Sequence, residues 1–88
     1  MEICKHYIAE GEIIGIGPLM TERKLDPHFP AISYWFYVYT KSQAIKIQSD
    51  TIQTGEFYQD KIDQGKQYLK DFTKEFDRVK ENILLMID

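Results

Sequence analysis

Cys4 and His6 stand two residues apart near the start of the chain, and His28 lies between Pro27 and Phe29 further on. On a strand, residues i and i+2 share a face, so Cys4 and His6 would project together. With His28 they would make three donors of the thiolate and imidazole kind that zinc takes. A fourth ligand is missing, and the chain has no CxxC or HxxxH pair to hold two donors on one turn. Ordinary sheet residues explain them better. A Cys4–His6 nucleophile and base fails similarly, because nothing nearby supplies oxyanion donors or a third group to orient the base. Gly15-Ile16-Gly17 resembles the opening of a phosphate-binding turn, yet Pro18 follows at once where a third glycine and a helix would be needed. Glycines within a strand are the simpler account. The sequence therefore reads as non-enzymatic, with no cofactor and no metal site.

A recognition chemistry is easier to find. Trp35, Tyr37 and Tyr39 alternate along one segment, with Lys41 and Lys46 close by. Aromatic rungs beside cations are how single-stranded nucleic acid is stacked, at about 1–3 kcal/mol per base. Against this stand 14 acidic residues to 11 basic ones and a net charge of −3. A general nucleic-acid binder carries a basic patch that tips the balance the other way. A protein partner is the leading expectation, with a single-stranded nucleic acid or nucleotide-like ligand as the alternative.

The elements that must position these residues follow from patterning. The 88 residues make one domain, residues 1–88. Residues 2–9 and 12–17 predict a hairpin turning at Glu10-Gly11, with Tyr7 opposite Ile14, Ile8 opposite Ile13 and His6 opposite Gly15. Pro18 to Pro30, which contains Asp26-Pro27-His28-Phe29-Pro30, reads as a Pro-rich loop. Residues 31–40 and 44–49 predict a second hairpin around Lys41-Ser42. Its register pairs Val38 with Ile45, Phe36 with Ile47 and Tyr34 with Ser49 on an aliphatic core face. Tyr39 with Ala44, Tyr37 with Lys46 and Trp35 with Gln48 then share the other face.

From Glu56 to Ile87 the period becomes helical. Tyr58, Ile62, Leu69, Phe72, Phe76, Val79, Ile83 and Met86 form one stripe, with Gly65 in a gap and Gly55-Glu56 at the start. Asp63, Asp71 and Glu75 each precede a cation by three residues (Lys66, Lys74 and Arg78) and form a solvated face. The fold class expected is α+β: a small antiparallel β-meander of about four strands in two hairpins over residues 1–50. One long amphipathic C-terminal helix packs on one sheet face.

A helix of about 30 residues is ~45 Å long, whereas six-residue strands span ~20 Å. The overhanging turn is apolar all round: Ile83, Leu84, Leu85, Met86 and Ile87. The simplest cover is a second copy, giving a homodimer through Phe76, Val79, Ile83, Leu84, Met86 and Ile87. A bend at Gly65, folding both halves onto one sheet, is the competing arrangement. One helix covers one sheet face, so Trp35, Tyr37 and Tyr39 on the other need separate cover, and structural cover is the leading expectation: rings lying over Gly15 and Gly17, or the Pro-rich loop folding Leu25 and Phe29 across them. The competing expectation is a partner or ligand face made of Trp35, Tyr37, Tyr39 and Lys46, with His28 and Phe29 from the loop. Cys4 is the single cysteine, the first residues lack a signal-peptide run, and the terminal apolar run is far short of the ~20 residues a membrane span needs. A reducing cytoplasmic location without membrane contact is expected.

Overall fold

The computed structural model describes residues 1–25, 27–28, 30–53 and 59–86, the side chains of residues 59–62 excepted. In chain order it contains β1 (Glu2–Ile3), β2 (His6–Tyr7), a short 3-10 turn (Glu10–Glu12), β3 (Ile13–Ile16), β4 (Met20–Lys24), β5 (Ala31–Thr40), β6 (Ala44–Gln48), β7 (Ile52–Gln53) and α1 (Gln59–Met86). The class is α+β, an antiparallel sheet followed by one long helix, as the patterning predicts; the strands are more numerous than four.

β5 is the axis of the sheet. Its ten residues include β-branched and aromatic types throughout, the composition a long pleated strand favours. β4 pairs with its first half (Met20↔Trp35 to Lys24↔Ala31) and β3 with its second (Ile13↔Thr40, Gly15↔Tyr39, Ile16↔Val38). β7 pairs with Ala31 and Ile32, and β6 with Trp35 to Tyr39. β4 and β6 both meet Trp35, and β3 and β6 both meet Val38, so β3 and β4 share one edge while β6 and β7 share the other. The sheet is thus three strands wide, with both outer strands broken. Gly17-Pro18-Leu19 interrupts one. On the other side Ser49 bridges the gap: its N–H donates to the Tyr34 carbonyl, and its Oγ accepts the Tyr34 N–H, both at 2.8 Å.

The β5–β6 register agrees at every predicted pair, because the aliphatic and aromatic alternations leave only one alignment that buries Phe36, Val38 and Ile47 together. Thr40 closes the turn. Its Oγ1 donates to the Gln43 carbonyl at 2.8 Å and accepts the Gln43 N–H at 3.1 Å.

Two expectations need correction. Residues 2–9 and 12–17 do not pair with each other. Cys4 (φ 46°) and Lys5 (φ 70°) take left-handed conformations, folding β1 onto β2 as a tight hairpin. The 3-10 turn then redirects the chain, and β3 pairs with β5. The Pro18–Pro30 segment is not loop throughout, since Met20–Lys24 is an edge strand. It is exposed along its whole length and carries Thr21, Glu22, Arg23 and Lys24, so no apolar alternation marks it, and polar edges resist pairing with other chains.

α1 packs on the face carrying Phe36, Val38 and Ile47. Leu69, Phe72, Phe76, Val79 and Ile83 are buried at the predicted spacing. Phe36 sits between Phe72 and Phe76, with ring centroids 5.8 and 4.9 Å away. The helix runs unbroken through Gly65. That residue is buried because Ile52 of β7 presses on it: a Cβ there would lie 2.3 Å from Ile52 Cγ2. The predicted start at Gly55-Glu56 and the stripe residue Tyr58 lie outside the described residues, as does the side chain of Ile62.

The length mismatch is resolved within the chain. At 1.5 Å per residue the 28-residue helix is about 42 Å long, while β5 at about 3.3 Å per residue reaches about 33 Å. The N-terminal hairpin supplies the difference. Ile3 and Ile8 join Val79 and Ile83 in one buried cluster, with Met1 and Cys4 packed against it. Arg78 donates from Nη2 to the Glu2 carbonyl at 3.2 Å, tying hairpin to helix. The result is an elongated body with extents of 46 × 21 × 18 Å.

Candidate functional site

Since α1 takes one face of the sheet, the odd-numbered residues of β5 point to the other. Trp35 and Tyr37 meet edge to face, with centroids 5.4 Å apart and planes at 81°. Tyr37 and Tyr39 are nearly parallel at 6.2 Å and 17°. Pairs like these hold aromatic side chains in fixed relation on a pleated surface. The Lys46 ammonium lies 4.8 Å from the centre of the Trp35 ring, a cation–π contact that keeps its stem along the row.

Gly15 on β3 and Gly17 just after it make room for the row's outer end. A Cβ on Gly17 would stand 3.2 Å from the Tyr39 hydroxyl and 3.6 Å from the Tyr37 carbonyl; one on Gly15 would stand 3.8 Å from Tyr39 Cδ2. The Tyr39 ring therefore leans across bare backbone, one side on the sheet, and stays 40% exposed. Gly17 also donates its N–H to the Tyr37 carbonyl at 2.8 Å. The GxG pair thus acts as a seat for an aromatic ring, in agreement with the expected aromatic-over-glycine arrangement.

β4 adds residues that patterning misses. Cross-strand pairing brings Met20 beside Trp35, Glu22 beside Ser33 and Lys24 beside Ala31. Gln48 Nε2 donates to Glu22 Oε2 across β5 at a long 3.5 Å, above the buried Ser33. Among the described strand residues of this face, Lys24 and Lys46 stand against Glu22, in a chain whose total is −3. Only the register of the edge strand reveals this, because Met20 to Lys24 shows no alternation.

The other predicted site residues separate. His28 lies in the β4–β5 connection before Ala31, which itself is four residues or ~13 Å along the strand from Trp35. Phe29 lies outside the described residues. Leu25, at the same tip, is 89% exposed, so it is not folded over the rings. Of the residues expected at a helix-mediated dimer contact, Phe76, Val79 and Ile83 are consumed by the chain's own core, because β5 and the N-terminal hairpin reach them first. Leu84 and Met86 are exposed, with Leu85 between them, and Ile87 lies outside the described residues.

Cys4 and His6 do not share a strand face, since Cys4 sits in the β1–β2 turn. His28 lies in the separate β4–β5 connection. No group of three His, Cys, Asp or Glu is positioned to hold a metal among the described residues. Burial pushes the Cys4 thiol above its ordinary value, Glu75 adds to the rise, and Arg78 opposes it. On the helix exterior, Arg78 hydrogen bonds to Glu75 and holds that carboxyl below the ordinary range, against a smaller opposing effect of burial. Asp71, expected to pair with Lys74, accepts from Gln67 Nε2 at 3.0 Å.

No helix among the described residues is long and apolar enough to cross a membrane. No protein-family model, curated protein or solved structure matches the chain.

Proposed function

We propose that this chain is a non-enzymatic recognition module that binds another protein on the outer face of its sheet. The observation that carries this reading is the row Trp35–Tyr37–Tyr39, held in register by ring contacts and glycine seats on the face opposite α1. Trp and Tyr dominate the buried centres of protein interfaces, where truncating one often costs 2 kcal/mol or more, about thirtyfold in affinity. The exposed helix end, Leu84 to Met86, is a second and weaker surface for self-association. Three side chains fall well short of the roughly 800 Å² per partner of a standard interface. The unpaired Cys4 thiol fits a reducing, cytoplasmic setting.

The test is affinity capture on the immobilised full chain from an extract of its source cells, read by mass spectrometry. A protein retained by the unaltered chain and by Leu84→Glu, but lost from Tyr37→Ala/Tyr39→Ala and Lys46→Glu with melting temperatures preserved, is the expected outcome. Equal retention on all four would remove the sheet face as the binding surface. A second reading, single-stranded nucleic acid, is favoured by the Lys46–Trp35 contact and the positive balance of this face. Quenching of Trp35 fluorescence by an oligothymidylate, weakening steeply with salt, would transfer the assignment to that class. Self-association is read from solution mass, with Leu84→Glu/Leu85→Lys as the control.

A further inference from the structure

Beyond Trp35 the outer face of the sheet changes character. β5 carries Ser33 and Ala31 there, two small buried side chains, and the floor drops into a depression of about 200 Å³. Longer side chains from the neighbouring strands stand around it. Cross-strand pairing sets Glu22 beside Ser33 and Lys24 beside Ala31. Lys46, paired with Tyr37, carries its ammonium back over the Trp35 ring. From Tyr39 towards Ala31, alternate positions of β5 therefore present two aromatic rings, a cation at Trp35, an anion at Ser33 and a cation at Ala31.

Among the described residues neither lysine has a carboxylate within ion-pair distance; the ion pair found there is Glu75–Arg78, on the helix. Glu22 accepts the long bond from Gln48 and meets no cation. The face thus offers an ordered series of charges whose opposites a partner can supply. Its spacing selects the partner's conformation. Successive rungs are two β residues, or about 6.6 Å, apart, and alternate side chains of an extended segment repeat at that same distance. A helix presents facing side chains about every 5.4 Å, so it would slip by nearly a full turn over the four steps from Tyr39 to Ala31. A polyanion would meet the negative rung at Glu22 in the middle of its path.

We propose that this face receives an extended segment of a partner protein, about nine residues long at this spacing, whose alternate side chains run apolar, apolar, acidic, basic, acidic. The apolar pair lies on Tyr39 and Tyr37, the first acid meets Lys46 above Trp35, the base meets Glu22, and the last acid meets Lys24. The segment's backbone and its intervening side chains face water, so none of its polar groups is buried unpaired. A contact of this size is smaller than a standard interface and belongs to a transient complex. The inference rests on the protein-binding reading of the same face and adds the chemistry of what is bound.

The experiment titrates the full, ¹⁵N-labelled chain with short peptides, acetylated and amidated at their ends. They lack tryptophan, so fluorescence of Trp35, the single Trp of the chain, reports binding directly. The matched probe is FTLTETKTE, used alongside its reverse, ETKTETLTF. One control, FTLTKTETK, exchanges every sign; the other, FTLTTEKET, keeps the composition and net charge but sets the charged residues side by side. The expected result is saturable shifts at residues 31–39 and their neighbours in β4 and β6. The dissociation constant should be on the order of 100 μM for one of the two directions. Both controls should bind roughly tenfold more weakly, the factor that a few exposed charge pairs supply together. Lys24→Glu, on the exposed strand β4, should turn the preference towards the peptide with lysine in place of the last acid. Absence of saturable shifts, equal binding of the matched and side-by-side peptides, or tighter binding of an oligothymidylate would overturn the proposal. The peptide comparison needs only the unaltered protein. If the capture experiment retains a protein that depends on Tyr37 and Tyr39 while the matched peptides fail, the ligand assignment falls and the face reading stands; if both fail, both fall.

Discussion

Gly65→Ala separates two physical effects of opposite sign. In a helix interior, alanine is better than glycine by about 0.8–1.0 kcal/mol, so propensity alone predicts a more stable protein. The tertiary setting reverses this. The new Cβ would sit 2.3 Å from Ile52 Cγ2, and it would already touch Ile52 Cβ at 3.5 Å and Cγ1 at 3.7 Å. Restoring an ordinary carbon contact of about 3.5 Å requires some 1.2 Å of movement. Ile52 belongs to the two-residue strand β7, held to β5 through Ile32 and Ala31, so that movement strains the pairing or forces a new rotamer. Overpacking of this kind costs about 1–3 kcal/mol. The upper part of that range, less the propensity gain, leaves a net loss of about 1–2 kcal/mol. For a domain of this size the melting temperature should fall by about 4–16 °C. Ile52→Ala removes the offending methyl, and in that background Gly65→Ala should instead stabilise by up to about 1 kcal/mol. The double-mutant cycle, measured by thermal and urea unfolding followed by circular dichroism, should give a coupling of about 2–3 kcal/mol. A higher melting temperature for Gly65→Ala in the otherwise unaltered chain would refute the close-approach argument.

Four other outcomes follow from local geometry. Ser49→Ala strips the Tyr34 N–H of its acceptor and should cost about 1–3 kcal/mol; an unchanged urea midpoint would show that the backbone bond alone holds the break. Lys5→Gly relieves an exposed left-handed residue. The ~1–2 kcal/mol of strain less the ~0.5–1 kcal/mol entropic cost of glycine leaves a gain of roughly 0.5–1 kcal/mol, visible as a higher melting temperature. For pH, the raised Cys4 pKa means less thiolate than free cysteine at neutral pH, so alkylation should be slower than for the free amino acid and quicken only on the alkaline side. Glu75 has the opposite sign. Its lowered pKa contributes stability above the ordinary value of about 4.5 that is lost as pH falls through the folded value. The melting-temperature gap between the unaltered chain and Glu75→Gln should therefore narrow in acid; a constant gap would refute the pairing.

Legibility in the sequence varied by element, for identifiable reasons. The β5–β6 pairing was readable residue by residue because two alternations, aliphatic and aromatic, had to agree at once. The helix stripe from Leu69 to Ile83 was readable because five large apolar residues keep a single period. The N-terminal hairpin was not, because its turn uses Cys4 and Lys5 where Asn and Gly would have announced positive φ. β4 was hidden because an exposed edge strand needs no apolar alternation, and the prolines around it read as loop. The candidate face was legible as Trp35, Tyr37, Tyr39 and Lys46; Met20, Glu22 and Lys24 join it only through the register of that hidden strand.

Local pattern by itself determined the class, the partition into sheet and helix, and which side of β5 is aromatic. These depend on periods of two and about 3.6 residues that a chain carries wherever it goes. What covers each surface was decided only in three dimensions. The excess length of the helix and its apolar stripe pointed to a second copy of the chain, yet β1 and β2, more than seventy residues away in sequence, fold under its last turns and take Ile83 into the core. Gly65, a gap in the helical pattern, proved to be a point where sheet and helix come too close for a Cβ. Both outcomes depend on contacts between segments distant in sequence, and no window along the chain contains both partners.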